Sequence, residues 1–96
     1  MNQYYTYILK CSDGSYYTGI TNNIDRRLQE HEEGLNETCY TYKRRPVKLV
    51  SCEMFIDVNQ AIAREKQIKK WSRAKKEALI NSEWNDLIKL SKKKFE

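Results

Sequence analysis

The chain changes its hydrophobic period several times. Residues 3–10, rich in Tyr, Thr and Ile, read as a β-strand, and residues 15–21 read as a second strand. Between them Ser12-Asp13-Gly14 is a turn signal, so the two strands form a hairpin. A two-residue Asp13-Gly14 loop would pair Leu9 with Thr18 and send Tyr7 and Tyr17 to opposite faces. A three-residue loop with Gly14 left-handed pairs Leu9 with Tyr17 and Tyr7 with Gly19. Tyr7, Tyr17 and Gly19 then share one face. We expect the second register because it gathers the polar chemistry on one surface.

The period then becomes helical. Asn22 or Asn23 can cap a helix over 24–33, with Gly34 as its stop. On it Ile24 and Leu28 share the core-facing stripe, while Arg27 and His31 share the neighbouring one. Residues 35–45 form a polar loop ending Lys43-Arg44-Arg45, and Pro46 opens a third strand ending at Phe55. From Val58 onward the apolar stripe is Val58, Ala61, Ile62, Ile68 and Trp71, with Glu65 in its middle. Ser72 caps a further helix through about Ile80. Ser82 can cap a last one carrying Trp84, Leu87 and Ile88, ahead of the Lys92-Lys93-Lys94 tail. The order β-β-α-β-α-α(-α) predicts an α+β fold, a small antiparallel three-stranded sheet flanked by helices. One domain spans 1–96, with a core at about 4–80 and a helical C-terminal extension with a basic tail at 82–96.

Composition narrows the functional classes. Ninety-six residues suffice for one modest core. Eighteen Lys and Arg against 13 Asp and Glu give a net charge of +5, which favours anionic partners such as nucleic acid. Cys11, Cys39 and Cys52 are widely spaced, and the single His31 cannot complete a zinc set with them. They read as reduced thiols that partly fill a core. No signal-peptide pattern and no apolar run of membrane-spanning length occurs, so the expected location is the cytoplasm.

Glu65 is the sharpest anomaly, because a carboxylate on a buried stripe is costly unless paired, protonated or metal-bound. One carboxylate is enough for Mg²⁺ in a phosphoryl site, where the ion keeps waters; the plainer reading is a stripe-edge Glu whose carboxylate reaches water or pairs with an arginine such as Arg27 or Arg64. Arg27 carries a fork of donors suited to phosphate, or is a solvated surface arginine. His31 can act as acid, base or phosphate donor, or can sit at a helix C-terminus favoured by the dipole. Tyr7 and Tyr17 can be reactive hydroxyls or ordinary buried aromatics. Lys66, Lys69 and Lys70, within a basic run over 64–76, join Lys43, Arg44 and Arg45 as a candidate nucleic-acid surface.

Taken together, these residues resemble the GIY-YIG (URI) nuclease domain, in particular its small stand-alone bacterial members. Thr6-Tyr7-Ile8 sits where the family's first motif falls, and Tyr17-Thr18-Gly19 matches the second. Ile24 through His31 matches the helix bearing the family's arginine, here Arg27, and a frequent histidine, here His31. Residues 63–70 resemble the helix that brings its metal-binding glutamate, here Glu65. Tyr5 and Thr6 replace the glycine and isoleucine of the first motif, and only Asn81 lies near the place of a late asparagine. The resemblance implies a divalent-metal-dependent endonuclease holding one Mg²⁺ or Mn²⁺ on Glu65. Tyr7 or Tyr17 would orient or deprotonate water, with His31 assisting, and Arg27 would stabilise phosphoryl charge. Gly19 would be structural. DNA ranks ahead of RNA as substrate, with no membrane and no obligate protein partner. The alternative is a nucleic-acid-binding module of the same fold with little catalysis.

Overall fold

The computed structural model describes residues 2–82; the expected helix carrying Trp84, Leu87 and Ile88, and the lysine tail, lie outside the described residues. Strands β1 (Tyr4–Lys10) and β2 (Tyr16–Thr21) form the hairpin. Its loop closes through Cys11 N–H to Ser15 O (2.8 Å) and Gly14 N–H to Cys11 O (3.0 Å). Gly14 has φ +85°, a conformation that a side chain would strain. The Asp13 carboxylate accepts from the Ser15 N–H and hydroxyl, which completes the turn. Leu9 therefore pairs with Tyr17 and Tyr7 with Gly19, the register of the three-residue loop.

Strand β3 (Lys48–Phe55) pairs antiparallel with the other side of β1, giving the order β2-β1-β3. The ladder slips between Ile8 and Leu9, which face Ser51 and Leu49, leaving Val50 as a bulge. Helix α1 (Ile24–Glu33) starts at Asn23, whose side chain accepts from Arg26 N–H (3.1 Å), and ends at Gly34 with φ +66°. Helix α2 (Val58–Lys69) is capped by Asp57, which accepts from Asn59 N–H (2.9 Å). Helix α3 runs from residue 73 to the last described residue, 82, and Ser72 caps it through Lys75 N–H (3.3 Å).

Strand alternation sorts the core into two sides. Tyr7, Leu9, Cys11 and Val47 form one buried cluster, with Ile24 and Leu28 of α1, Tyr17 and Leu49 packed against it. Thr6 and Ile8 point the other way, where α2 packs on the sheet and the Thr6 hydroxyl donates to Ala61 O (2.9 Å). The α2 stripe is narrower than its sequence pattern: Ala61 and Ile68 are buried, whereas Val58, at the first turn, stays exposed. Among the described residues, no helix is long and apolar enough to cross a membrane.

Candidate active site

The hairpin register delivers Tyr7 and Tyr17 to the face covered by α1, with ring centroids 6.3 Å apart. Gly19 makes room for this. A Cβ there would lie 2.6 Å from Tyr7 Cζ and closer still to its hydroxyl, so the Tyr7 side chain crosses β2 only over a glycine. His31 descends from α1 onto both rings, 5.9 Å from the Tyr7 centroid and 5.2 Å from that of Tyr17, each edge-on. Tyr7 Oη and His31 Nε2 are 3.0 Å apart. On the other side of the ring, His31 Nδ1 lies 2.8 Å from Thr41 Oγ1, and Thr41 Oγ1 donates to Cys39 Sγ at 3.4 Å.

The two tyrosines differ in access. Tyr7 is only 1% exposed, and Tyr17 is half-buried and lines a cleft with Arg27, Glu30, His31, Cys39 and Thr41. Burial raises the Tyr7 hydroxyl well above its ordinary range; the nearby Tyr17 adds to this, and Arg27, as a charge and a donor beside the hydroxyl, offsets part of it. Burial also raises Tyr17, reinforced by Cys39 and by the Glu65 charge and countered by Arg27. Burial and then Arg27 lower His31 below its usual value, against a smaller opposite effect of Glu30. His31 lies in the last turn of α1 but is only 6% exposed, and its lowered value keeps the ring neutral near pH 7, with core hydroxyls as its partners. Burial pushes the Cys39 thiol up, but donors from Thr41, Tyr17 and the Tyr40 backbone outweigh it, and the net shift is downward.

Arg27 Nε stands 3.1 Å from Glu30 Oε1, with both side chains about two-fifths exposed. That nitrogen is itself buried and makes no hydrogen bond, because the carboxylate lies off its N–H axis. Arg26 points elsewhere and donates to Asn22 Oδ1 (3.3 Å). Glu65 is 17% exposed and pairs with Lys69 Nζ (3.4 Å), whereas Arg64, one of the arginines suggested for it, pairs with Glu53 (3.0 Å). Lys69 also lines a groove with Tyr16, Tyr17, Tyr40 and Lys76. No group of three or more His, Cys, Asp or Glu able to hold a metal occurs among the described residues.

The remaining basic candidates separate. Lys43, Lys66, Lys69 and Lys70 are exposed. Arg44 donates to Asp13 Oδ2 (3.1 Å) and Tyr40 O (2.8 Å), and stacks over the Tyr40 ring at 3.8 Å. Arg45 donates to Tyr42 O (2.9 Å) and Glu32 O (3.3 Å), closing the end of α1 against Gly34. These two arginines hold the 35–45 loop to the hairpin and to α1, work that their run of charge did not reveal. The sequence also gave no role to Thr41 and assigned Cys39 to the core; of the three thiols, Cys11 is buried, Cys39 lines the cleft and Cys52 is exposed. A signal was present: Cys39 and Thr41 alternate in a loop too polar to be buried for packing alone.

Comparison with known proteins places the chain by family and fold. The family profile described as the GIY-YIG catalytic domain matches residues 3–78. A UPF0213 protein of Syntrophus aciditrophicus is 54% identical over 80 residues, covering 83% of this chain and 92% of its own length. Another from Staphylococcus saprophyticus is 47% identical over 81 residues, covering 84% and 98%. The solution NMR structure of a UPF0213 protein from Bacillus halodurans is similar at 42% identity and a TM-score of 0.55, covering 82% of this chain and 83% of that one. An E. faecalis protein solved by NMR gives 36% identity and a TM-score of 0.61, covering 85% and 86%.

Proposed function

The chain belongs to the GIY-YIG catalytic-domain family, and from that membership we propose that it is a divalent-metal-dependent endonuclease acting on nucleic acid, with DNA ahead of RNA. The observation that carries this reading is the convergence of Tyr17, Arg27 and His31 on one cleft, with Tyr7 hydrogen-bonded behind His31. Phosphodiester hydrolysis joins a water oxygen to phosphorus, and the displaced ester oxygen departs as a hydroxyl. Tyr17, whose side chain reaches the cleft, orients that water. Because both phenols are raised rather than lowered, they serve here as hydrogen-bonding groups and not as pre-formed phenolates. Arg27 lines the cleft and faces the phosphoryl oxygens, where its charge counters the charge that develops.

Glu65 fits a hard divalent ion: it is a mostly buried carboxylate whose charge acts on Tyr17, and among the described residues its ion pair is with a half-exposed lysine. Mg²⁺ or Mn²⁺ held there would supply Lewis-acid stabilisation of the phosphate, completing its shell with water and substrate oxygens. The exposed Lys66, Lys69 and Lys70, with Lys43, supply charge for the nucleic-acid backbone.

Labelled single- and double-stranded DNA and RNA, incubated with Mn²⁺, Mg²⁺ or chelator, test the reading. Metal-dependent cleavage is expected. Glu65→Gln should reduce it by orders of magnitude while nucleic-acid binding holds or tightens, because a negative charge near the phosphate is gone. Absence of cleavage on every substrate with either metal would hand the function to the binding-module alternative.

A further inference from the structure

We propose that Thr41 is a positioning residue: it fixes which nitrogen of His31 carries the proton, and thereby the orientation of the Tyr7 hydroxyl. Its effect on rate rests on the nuclease reading above; its effect on His31 does not.

The argument is an accounting of hydrogens. Thr41 is 1% exposed, and its hydroxyl has one hydrogen and two lone pairs. The Cys39 sulfur, 3.4 Å away, takes the hydrogen. His31 Nδ1, 2.8 Å from the same oxygen and 3.9 Å from that sulfur, then faces lone pairs on both and donates to them. A neutral imidazole carries one N–H, so Nε2 is bare and accepts from Tyr7 Oη at 3.0 Å. The far end demands the same direction. Arg27 is the cation nearest the Tyr7 hydroxyl, and a guanidinium has no lone pair with which to accept. The opposite tautomer would aim the His31 N–H at the Tyr7 oxygen and leave the buried Tyr7 hydrogen facing a cation that cannot accept it.

The chain Arg27, Tyr7, His31, Thr41, Cys39 thus has one direction, and Thr41 is the link that sets it inside the ring. Tyr7 then turns its proton toward His31 and its lone pairs toward Arg27. Gly19 keeps the phenol in this place, and the 35–45 loop, tied down by Arg44 and Arg45, delivers Thr41. The charged and titratable groups around the ring are Arg27 and Glu30 from α1, Tyr7 from β1, Tyr17 from β2 and Cys39 from the loop.

His31 is the only histidine of the chain, so its ring nitrogens can be read without assignment in ¹⁵N-labelled protein. At a pH where the ring is neutral, the wild type should show a protonated Nδ1 and a bare Nε2. Thr41→Val keeps the shape and removes the hydroxyl. The Nε2-protonated form should then gain population, and kcat for Mn²⁺-dependent cleavage should fall by on the order of tenfold or more, with KM little changed. Thr41→Ser should restore both. A wild-type ring protonated on Nε2 overturns the proposal, as does a folded Thr41→Val protein with the wild-type tautomer and rate. Should Thr41→Val fail to fold, the wild-type tautomer and the Thr41→Ser protein decide. Should the wild type cleave nothing, the nuclease reading fails and the ring-nitrogen measurements alone judge Thr41.

Discussion

The two faces of this three-stranded sheet are buried by different means. On the α2 side, Ile8, Ala61 and Ile68 are sealed from water, and the Thr6 hydroxyl is satisfied by one carbonyl. On the α1 side, the apolar Leu9, Cys11 and Val47 share their layer with Tyr7, Tyr17, His31 and Thr41. Hydrogen bonds run through that layer from a loop to a strand, ending against Arg27 at an open cleft. An apolar interior is held by non-directional contacts, whereas a polar one is costly unless every donor finds its acceptor. The first face therefore supplies stability, and the second supplies fixed orientation. Substitutions on the two sides should fail differently.

The largest expected contrast is between Arg27→Ala and Ile8→Ala. Loss of the Arg27 guanidinium should cut cleavage by about 10²–10³-fold, while its two-fifths-exposed ion pair contributes at most about 1 kcal/mol to folding. Ile8→Ala should cost about 2–5 kcal/mol, read by denaturant titration, and leave the rate per folded molecule unchanged. Equal losses of rate per folded molecule would erase the distinction between the faces.

Gly19→Ala probes the contact that joins strand to site. The new methyl lands on the Tyr7 ring, so the ring must move, at a cost of about 1–3 kcal/mol. Cleavage should fall further than the folded fraction does, and the His31 signals should shift. A change confined to the melting temperature would reduce Gly19 to packing.

A smaller effect concerns the surface. Neutralising Lys66, Lys69 and Lys70 together should weaken binding to all sequences and lower the log–log salt slope by roughly one unit per lost phosphate contact. Activity at saturating substrate should persist. An unchanged slope would move the nucleic-acid surface elsewhere.

The smallest effect is on stability against pH. His31 is depressed in the fold from its ordinary value of 6.5 by burial and by Arg27. Below about pH 6.5 the unfolded chain therefore binds a proton that the folded chain refuses, and folding stability should decline as pH falls through that window. His31→Gln should flatten the decline in urea midpoints measured at successive pH values. A slope identical to wild type would mean that His31 is not held neutral by its surroundings.

Much of this was legible in the linear sequence, because it depends on neighbours a few residues apart. The hairpin, the helix over 24–33 with its Asn23 cap and Gly34 stop, and the Ser72 cap all follow from local turn and capping chemistry. The spacing of Arg27 and His31 on one helical stripe follows from the helix period, and Tyr17 and Gly19 share a face by the strand period. The motifs at Thr6-Tyr7-Ile8, Tyr17-Thr18-Gly19, 24–31 and 63–70 carried the resemblance to the family, and the resemblance implied the site roles.

What only the tertiary structure decided depends on contacts between distant segments. The sequence allowed two hairpin registers, and the closed fold has the one that puts Tyr7 over Gly19. His31 was a candidate on its helix, yet its partners come from β1 and from a loop ten residues on, and those partners make it a neutral, oriented ring. Arg44 and Arg45 read as surface charge until their guanidinium groups met backbone carbonyls. Glu65 took Lys69 as its partner, one helical turn away, where the sequence offered arginines. Period and propensity assign a residue to a face, but burial and hydrogen-bond partners are set where separate segments meet, and a linear pattern does not contain that meeting.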